Sequence, residues 1–358
     1  MRCLALAFAM VTAASCQWTM QPSHTTAGLR GVHNVGNGVV WASGTEGTVL
    51  HTVDDGATWQ TCAVPPGAEK LDFRGIQAFS AGTAIVMSSG TGDLSRLYKT
   101  TDACKTWRLA FTNPDPSGFW DAIKFTSPRN GMVMGDPVND RFPMFFTTDG
   151  GDTWREFDST PAFAGNHESM FAASNSALLL DEKKSKFYFL TGGESNSFIA
   201  ADLHFGAGAI CGDCRNVVRA HPVFAFGEAA GGFSLAARPH GSDPVIVAVG
   251  GDYKFPDRTS GTASFRVANN RWFAATTPPH GYRSAVAYSA SAKTWIAVGP
   301  NGTDISTDDG RNWHPLKPMA RDAADADKNW NALSLPFVVG PQGRIGKLSP
   351  TALAGSPN

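Results

Sequence analysis

Three observations in this chain of 358 residues predict an all-β fold built from repeated sheets: a recurring turn template, even spacing of its copies, and strand openings that superimpose. The template reads Ser or Thr, any residue, Asp, any residue, Gly, two residues, Trp. It fits Thr52-Val53-Asp54-Asp55-Gly56-Ala57-Thr58-Trp59, Thr147-Thr148-Asp149-Gly150-Gly151-Asp152-Thr153-Trp154 and Ser306-Thr307-Asp308-Asp309-Gly310-Arg311-Asn312-Trp313. A fourth copy, from Thr100 through Asp102 to Trp107, keeps every anchor except the glycine. Asp54, Asp102 and Asp149 lie 48 and 47 residues apart, the length of a four-stranded repeat of roughly 40 to 50 residues. Seven openings align: Leu29-Arg30-Gly31-Val32, Phe73-Arg74-Gly75-Ile76, Trp120-Asp121-Ala122-Ile123, His167-Glu168-Ser169-Met170, Gly231-Gly232-Phe233-Ser234, Tyr282-Arg283-Ser284-Ala285 and Trp330-Asn331-Ala332-Leu333. Seven such sheets around an axis make a seven-bladed β-propeller, a ring that leaves no open sheet edge.

Taken in chain order, residues 1–16 read as a secretory signal peptide. Met1-Arg2 precedes an apolar run from Cys3 to Ala14, followed by the small residues Ala14-Ser15-Cys16, and such a run is too short to span a bilayer. The protein is therefore expected to be exported, periplasmic or secreted. Cys16 also stands where a lipoprotein carries its lipid, although Ala13 occupies the position where Leu is usual. The propeller is assigned to residues 17–350 as one domain and residues 351–358 to a C-terminal tail. Trp18-Thr19-Met20-Gln21-Pro22 resembles the segment after a template tryptophan, Trp313-His314-Pro315-Leu316-Lys317. Blade seven lacks a template copy, so its outer strand is expected from the N-terminus, with Trp18–Gln21 pairing onto Arg344–Lys347.

In each copy the residue types suit a hairpin turn. Asp accepts from backbone amides downstream, Gly takes up a positive φ, and Trp pins the turn onto the neighbouring sheet. Asp54, Trp59, Asp102, Trp107, Asp149, Trp154, Asp308 and Trp313 are accordingly read as structural. Blade four is the least regular: its turn has decayed around Ala201-Asp202-Leu203, and an insertion near residues 211–228 obscures its outer strand. Blade five keeps only the tryptophan of Asn269-Asn270-Arg271-Trp272.

With 30 basic and 31 acidic residues the net charge is -1, which gives no general attraction to nucleic acid or an anionic membrane. No dinucleotide-binding, nucleophile-elbow, zinc-protease or phosphate-loop motif occurs, so no cofactor is expected. Cys211-Gly212-Asp213-Cys214 suits a redox pair, half a zinc site or a local disulfide. No second pair supplies the remaining zinc ligands and no helix follows, so no metal is expected, and in an exported chain the disulfide Cys211–Cys214 is the favoured reading. Cys62 and Cys104 fall on the outer rim of neighbouring blades, where a bridge between them is a further option.

Function in a propeller concentrates at one end of the axial channel. The aligned openings place Arg30, Arg74, Asp121, Glu168, Gly232, Arg283 and Asn331 at equivalent positions. Arg283, Asn331, Arg30 and Arg74 are contiguous around the ring and form a basic arc beside an acidic arc of Asp121 and Glu168. Guanidinium groups suit two-point capture of carboxylates, such as acidic side chains or a peptide C-terminus. The bland alternative is that these charges pair with one another and merely solvate the tunnel.

The turn template resembles the Asp-box, or BNR, repeat of β-propellers. The openings, the segment Gly47-Thr48-Val49-Leu50-His51-Thr52 and the Thr-Trp ending together resemble the photosystem II stability/assembly factor family, including its homologues in non-photosynthetic bacteria. The likeness is clear in blades one to three and six and weak in four and five. It implies an exported, non-enzymatic scaffold that binds a protein or peptide partner, for example a membrane-complex subunit, through Arg30, Arg74 and Arg283; the aligned openings add Asn331, Asp121 and Glu168 to that face, and a monomer is expected. Sialidases and other glycoside hydrolases also use Asp-box propellers. In that alternative Glu168 and Asp121 are the catalytic carboxyls and an acidic glycan the substrate.

Overall fold

The computed structural model describes residues 16–157, 163–203, 217–241, 243–267, 270–349 and 352–353. Seven antiparallel blades ring an axis, as the repeat count predicts. Their innermost strands are Leu29–Gly36, Phe73–Ala78, Trp120–Phe125, Leu178–Asp181, Gly227–Arg238, Ala285–Ser289 and Ala332–Ser334. Closure is by the N-terminal strand Trp18–Gln21, with Trp18 opposite Leu348 and Gln21 opposite Ile345, one residue along from the expected pairing. The hydrophobic clusters lie between blades. One packs Trp41 and Val49 of blade one against Phe73, Ile76 and Tyr98 of blade two; another packs Leu29, Val40 and Trp59 against Phe337 and Ile345 of blade seven. The tail is anchored too, because Ala352 and Leu353 are buried beside Trp18 and Trp330.

The four template turns are built alike. The hydroxyl of Thr52, Thr100, Thr147 or Ser306 accepts the amide of Gly56, Cys104, Gly151 or Gly310 at 2.9–3.1 Å. Asp54, Asp102, Asp149 and Asp308 accept the amide four residues on at 2.9–3.0 Å. Where the template has glycine, φ is positive and the missing Cβ would point at the preceding blade, meeting Gln21 at Gly56, Ile85 at Gly151 and Val247 at Gly310. Cys104 holds the same conformation, with φ of 58°. Its side chain is spent on that preceding blade, in a disulfide with Cys62 whose Cα atoms are 5.2 Å apart. Cys211 and Cys214 lie outside the described residues.

Blade four departs from expectation. Glu168–Ser169 pairs with Gly192–Gly193, but the ladder resumes only at Leu178 opposite Phe189, so residues 170–177 form a loop inserted into the innermost strand. The Gly192–Gly193 segment also pairs with the start of Gly227–Arg238, which joins this corner to the blade-five sheet. The outer strand of blade four is Val218–Ala220.

Candidate functional site

A β-bulge decides which side chain faces the axis. Ladder shifts occur between Leu29 and Gly31, Phe73 and Gly75, Trp120 and Ala122, and Gly232 and Ser234. The extra residue in each case is Arg30, Arg74, Asp121 and Phe233, and all four line an axial cavity of about 570 Å³ at the channel mouth. A bulge inserts one unpaired residue and re-aims its side chain. In blade five this substitutes Phe233 for the expected Gly232.

In blade four the pairing of Glu168–Ser169 with Gly192–Gly193 carries no such shift, and in blade six the ladder starts only at Ala285 opposite Val298, after Tyr282, Arg283 and Ser284; two expected mouth residues are misplaced. Arg283 is fully buried within blade six. Its Nε donates to Asp304 at 2.7 Å and its Nη1 to Asn301 and the Tyr282 carbonyl at 2.6 and 2.7 Å. His280 holds the other oxygen of Asp304 at 2.7 Å. Tyr282 and Ser284 face the cavity in its place. Glu168 is likewise buried, accepting from Arg219 at 2.9 Å, from the Gly165 amide at 2.6 Å and from the Thr191 hydroxyl. Burial pushes the Glu168 pKa up, but the Gly165 amide, the Ser197 and Thr191 hydroxyls and Arg219 outweigh it and hold the carboxylate below its usual range. Ser169 takes its place on the cavity wall. The basic arc thus reduces to Arg30 and Arg74, and the acidic arc to Asp121 with an unforeseen neighbour, Asp136.

Arg74 donates to Asp72 at 2.8 Å and to the Ala172 carbonyl at 3.3 Å. Arg30 approaches the other oxygen of Asp72 only to 3.7 Å, beyond hydrogen-bond length. Among the described residues, two guanidiniums with five N–H donors each therefore face the cavity with most of that capacity unfilled. Asn331 also lines it, its amide donating to the Leu29 carbonyl at 2.8 Å.

The inserted loop crosses the channel and floors the cavity. Asn175 accepts the Ile123 amide at 2.8 Å and donates to the Ile76 carbonyl at 3.3 Å, while Ser174 donates to the Ser284 carbonyl at 2.7 Å. Blades two, three and six thereby grip one loop of blade four. Asp136 accepts the loop's Met170 amide at 2.8 Å. Burial pushes the Asp136 carboxyl up to about 6. Asp121 is driven well above the carboxylate range by burial and by Asp136, against the opposing pull of Arg74 and of the Asp136 and Ala172 amides. The facing wall is aromatic: Phe171 of the loop stacks on Phe233 at 4.0 Å, and Tyr253 and Tyr282 stand edge-on to Phe233 at 6.2 and 4.8 Å. The sequence carries no periodic signal for the loop, because an insertion within a strand breaks the pattern by which strands are read.

The sequence matches no family model and no curated protein. Solved structures do match it over nearly its whole length. YCF48 bound to D1 peptide superimposes with a TM-score of 0.62 at 13% identity, over 93% of this chain and 96% of that one. YCF48 from Cyanidioschyzon merolae gives 0.62 at 17% identity, over 94% and 99%. The fold is that of YCF48. Because the YCF48 likeness spans the entire ring, the inserted loop and the irregular blade-four corner are details within a shared seven-bladed architecture.

Proposed function

We propose that this protein is an exported, monomeric binding scaffold that holds a partner polypeptide at the channel mouth, with Arg30 and Arg74 capturing its carboxylates. The observation that carries this is the pairing of both arginines on the single carboxylate Asp72 at the wall of an open cavity. Asp72 orients the guanidiniums without saturating them, which is the arrangement two-point carboxylate recognition requires. The D1 peptide bound by YCF48 favours a polypeptide occupant on this fold, and a membrane-complex subunit is the partner class the family resemblance points to. The Cys62–Cys104 disulfide suits export, since such bonds persist in oxidising compartments. Cys16, at the start of the described chain, is the candidate lipid attachment point if the exported form is anchored.

The glycoside-hydrolase alternative needs two carboxyls open to substrate on either side of a glycosidic bond. Glu168 and Asp121 are both buried, and Glu168 is fully engaged with Arg219 and its neighbours, which favours binding without turnover.

The test is binding of labelled acidic peptides to wild type and to the Arg30→Glu/Arg74→Glu variant at low and high salt. Salt-sensitive binding that disappears in the variant is expected. Binding that survives charge reversal refutes the assignment. Turnover of sialosides that is lost in Asp121→Asn refutes it in favour of the enzyme.

A further inference from the structure

Exposed apolar side chains gather on the mouth loops of one blade. In blade five Phe226 is 71% exposed, Phe255 50% and Tyr253 48%. Tyr253 and Phe255 lie on the connection between the strands Val245–Asp252 and Ala263–Val267, and Phe226 immediately precedes Gly227–Arg238. All three are therefore on the face where the innermost strands begin. A second depression of about 750 Å³ lies on the same blade, lined by Val223, Phe226, Arg258, Thr259 and Pro278 and reaching Ala274 at the outer strand. Grouped exposure of this kind marks an interaction surface, whereas single exposed apolar residues are ordinary.

The ring geometry sets this shelf against the arginines. Two blades separate blade five from blade one on one side and from blade two on the other, so the shelf is diametrically opposite Arg30 and Arg74. Tyr253 is the link, lining the axial cavity and standing edge-on to Phe171 at 6.4 Å. The rim beyond it is of mixed charge: Glu228 pairs with Lys254 at 3.3 Å and Asp252 with Arg258 at 3.7 Å. The arginine pair at one end and the aromatic shelf at the other give the mouth a direction. The loop across the channel prevents threading, so an occupant must lie across the mouth and enter and leave on one face.

We infer that the mouth reads a two-part extended segment: a carboxylate seated on Arg30 and Arg74, followed by large apolar side chains on the shelf of Phe171, Tyr253 and Phe226. The inference rests on the carboxylate-capture reading above and specifies its partner as an acidic-then-apolar peptide. Aromatic anchors in partly desolvated depressions concentrate binding energy, so the shelf favours a chain that adds apolar side chains to its carboxylate.

The experiment uses fluorescein-labelled peptides of about ten residues on a Gly/Ser background: one with two Glu only, one with two Phe only, and a set with both at increasing separation. Wild type is compared with Tyr253→Ser/Phe226→Ser, whose exposed positions leave the core intact, as an unchanged melting temperature verifies. The best mixed peptide is expected to bind about tenfold more tightly than the Glu-only peptide. The double-serine variant should lose that advantage, its affinity for the mixed peptide falling to the level of the Glu-only peptide on wild type. Equal affinity for mixed and Glu-only peptides overturns this inference while leaving carboxylate capture standing. Absence of binding to every Glu-containing peptide overturns both. Binding of wild type to phosphatidylcholine vesicles that the double-serine variant abolishes, without preference for the mixed peptide, reassigns the shelf to a membrane and also overturns it.

Discussion

The rim and the mouth of this ring treat the same chemical group in opposite ways. At the rim, hydrogen bonds from the Thr58 hydroxyl and amide and from Thr52 hold the Asp54 carboxyl down at about 2, and those from Thr106 and Thr100 do the same for Asp102. Burial pushes Asp149 up, but its bonds from Thr153, Thr147 and Asp152 win and leave it at about 2. At the mouth, burial raises Asp136 to about 6 and also pushes Asp121 well above its ordinary value. The rim repeats one solution four times and its carboxylates serve as turn acceptors. The mouth is different in every blade, and its charges are left with capacity to spare. Repetition marks what holds this ring together, and departure from it marks where a partner is read.

The sharpest way to break the comparison is to open the ring. Deleting residues 17–22 removes the strand opposite Ile345–Leu348, the stack of Trp18 on Trp330 at 5.9 Å and the Gln21 acceptor of Trp59 at 3.0 Å. The loss should rival the roughly 5–15 kcal/mol that stabilises a whole domain. A truncated protein that melts with the intact one rules out closure by the N-terminus.

One step smaller, Trp154→Ala deletes a rim aromatic packed with Phe145, Ile85 and Trp120. It should cost about 3–5 kcal/mol in urea unfolding and leave peptide affinity of the folded fraction unchanged. Arg30→Glu should show the reverse, with stability within about 0.5 kcal/mol of wild type and binding lost. If both variants lose affinity alike, rim and mouth are not separable.

The odd turn supplies a finer test. Removing the disulfide through Cys62→Ser should cost about 2–4 kcal/mol. In that background Cys104→Gly should be more stable than Cys104→Ala by about 1 kcal/mol, because only glycine holds the positive φ without strain. Equal stabilities would mean that the turn does not demand glycine.

A further contrast is in pH. Asp136 rises from an ordinary 3.8 to about 6, so its contribution is fully present below pH 3.8 and is lost as pH climbs through about 6. Asp54, Asp102 and Asp149 fall to about 2, so theirs is present above pH 3.8 and is lost as pH drops through about 2. Asp136→Asn should flatten the stability profile between about pH 4 and 6 and leave the acid limb intact. A profile unaltered in the upper window contradicts the burial argument.

The contrast also explains what was legible in the residues. Asp54, Trp59 and their counterparts could be found because the turn uses local bonds within eight residues of chain, so its requirements are written contiguously. Arg30, Arg74, Asp121 and Asn331 were found because their openings align, and the same alignment misplaced Arg283 and Glu168. Nothing in Tyr282-Arg283-Ser284 announces that Ser284 and not Arg283 faces the cavity, and Asp304, which claims Arg283, lies 21 residues away. Asp136, Tyr253 and the loop around Phe171 carried no repeat signal.

The sequence by itself therefore determined the number of blades, the turns between their outer strands and the strand that closes the ring, because each depends on local periodicity or on a template kept nearly whole. Only the tertiary structure decided which charged side chains reach the axis and what floors the channel. A strand's side chains alternate, so one bulge reverses which of two neighbours faces inward. Whether a bulge forms is settled by the register with the next strand, as Leu29 opposite Gly44 and Gly31 opposite Ser43 show, and not by the residues of the opening alone.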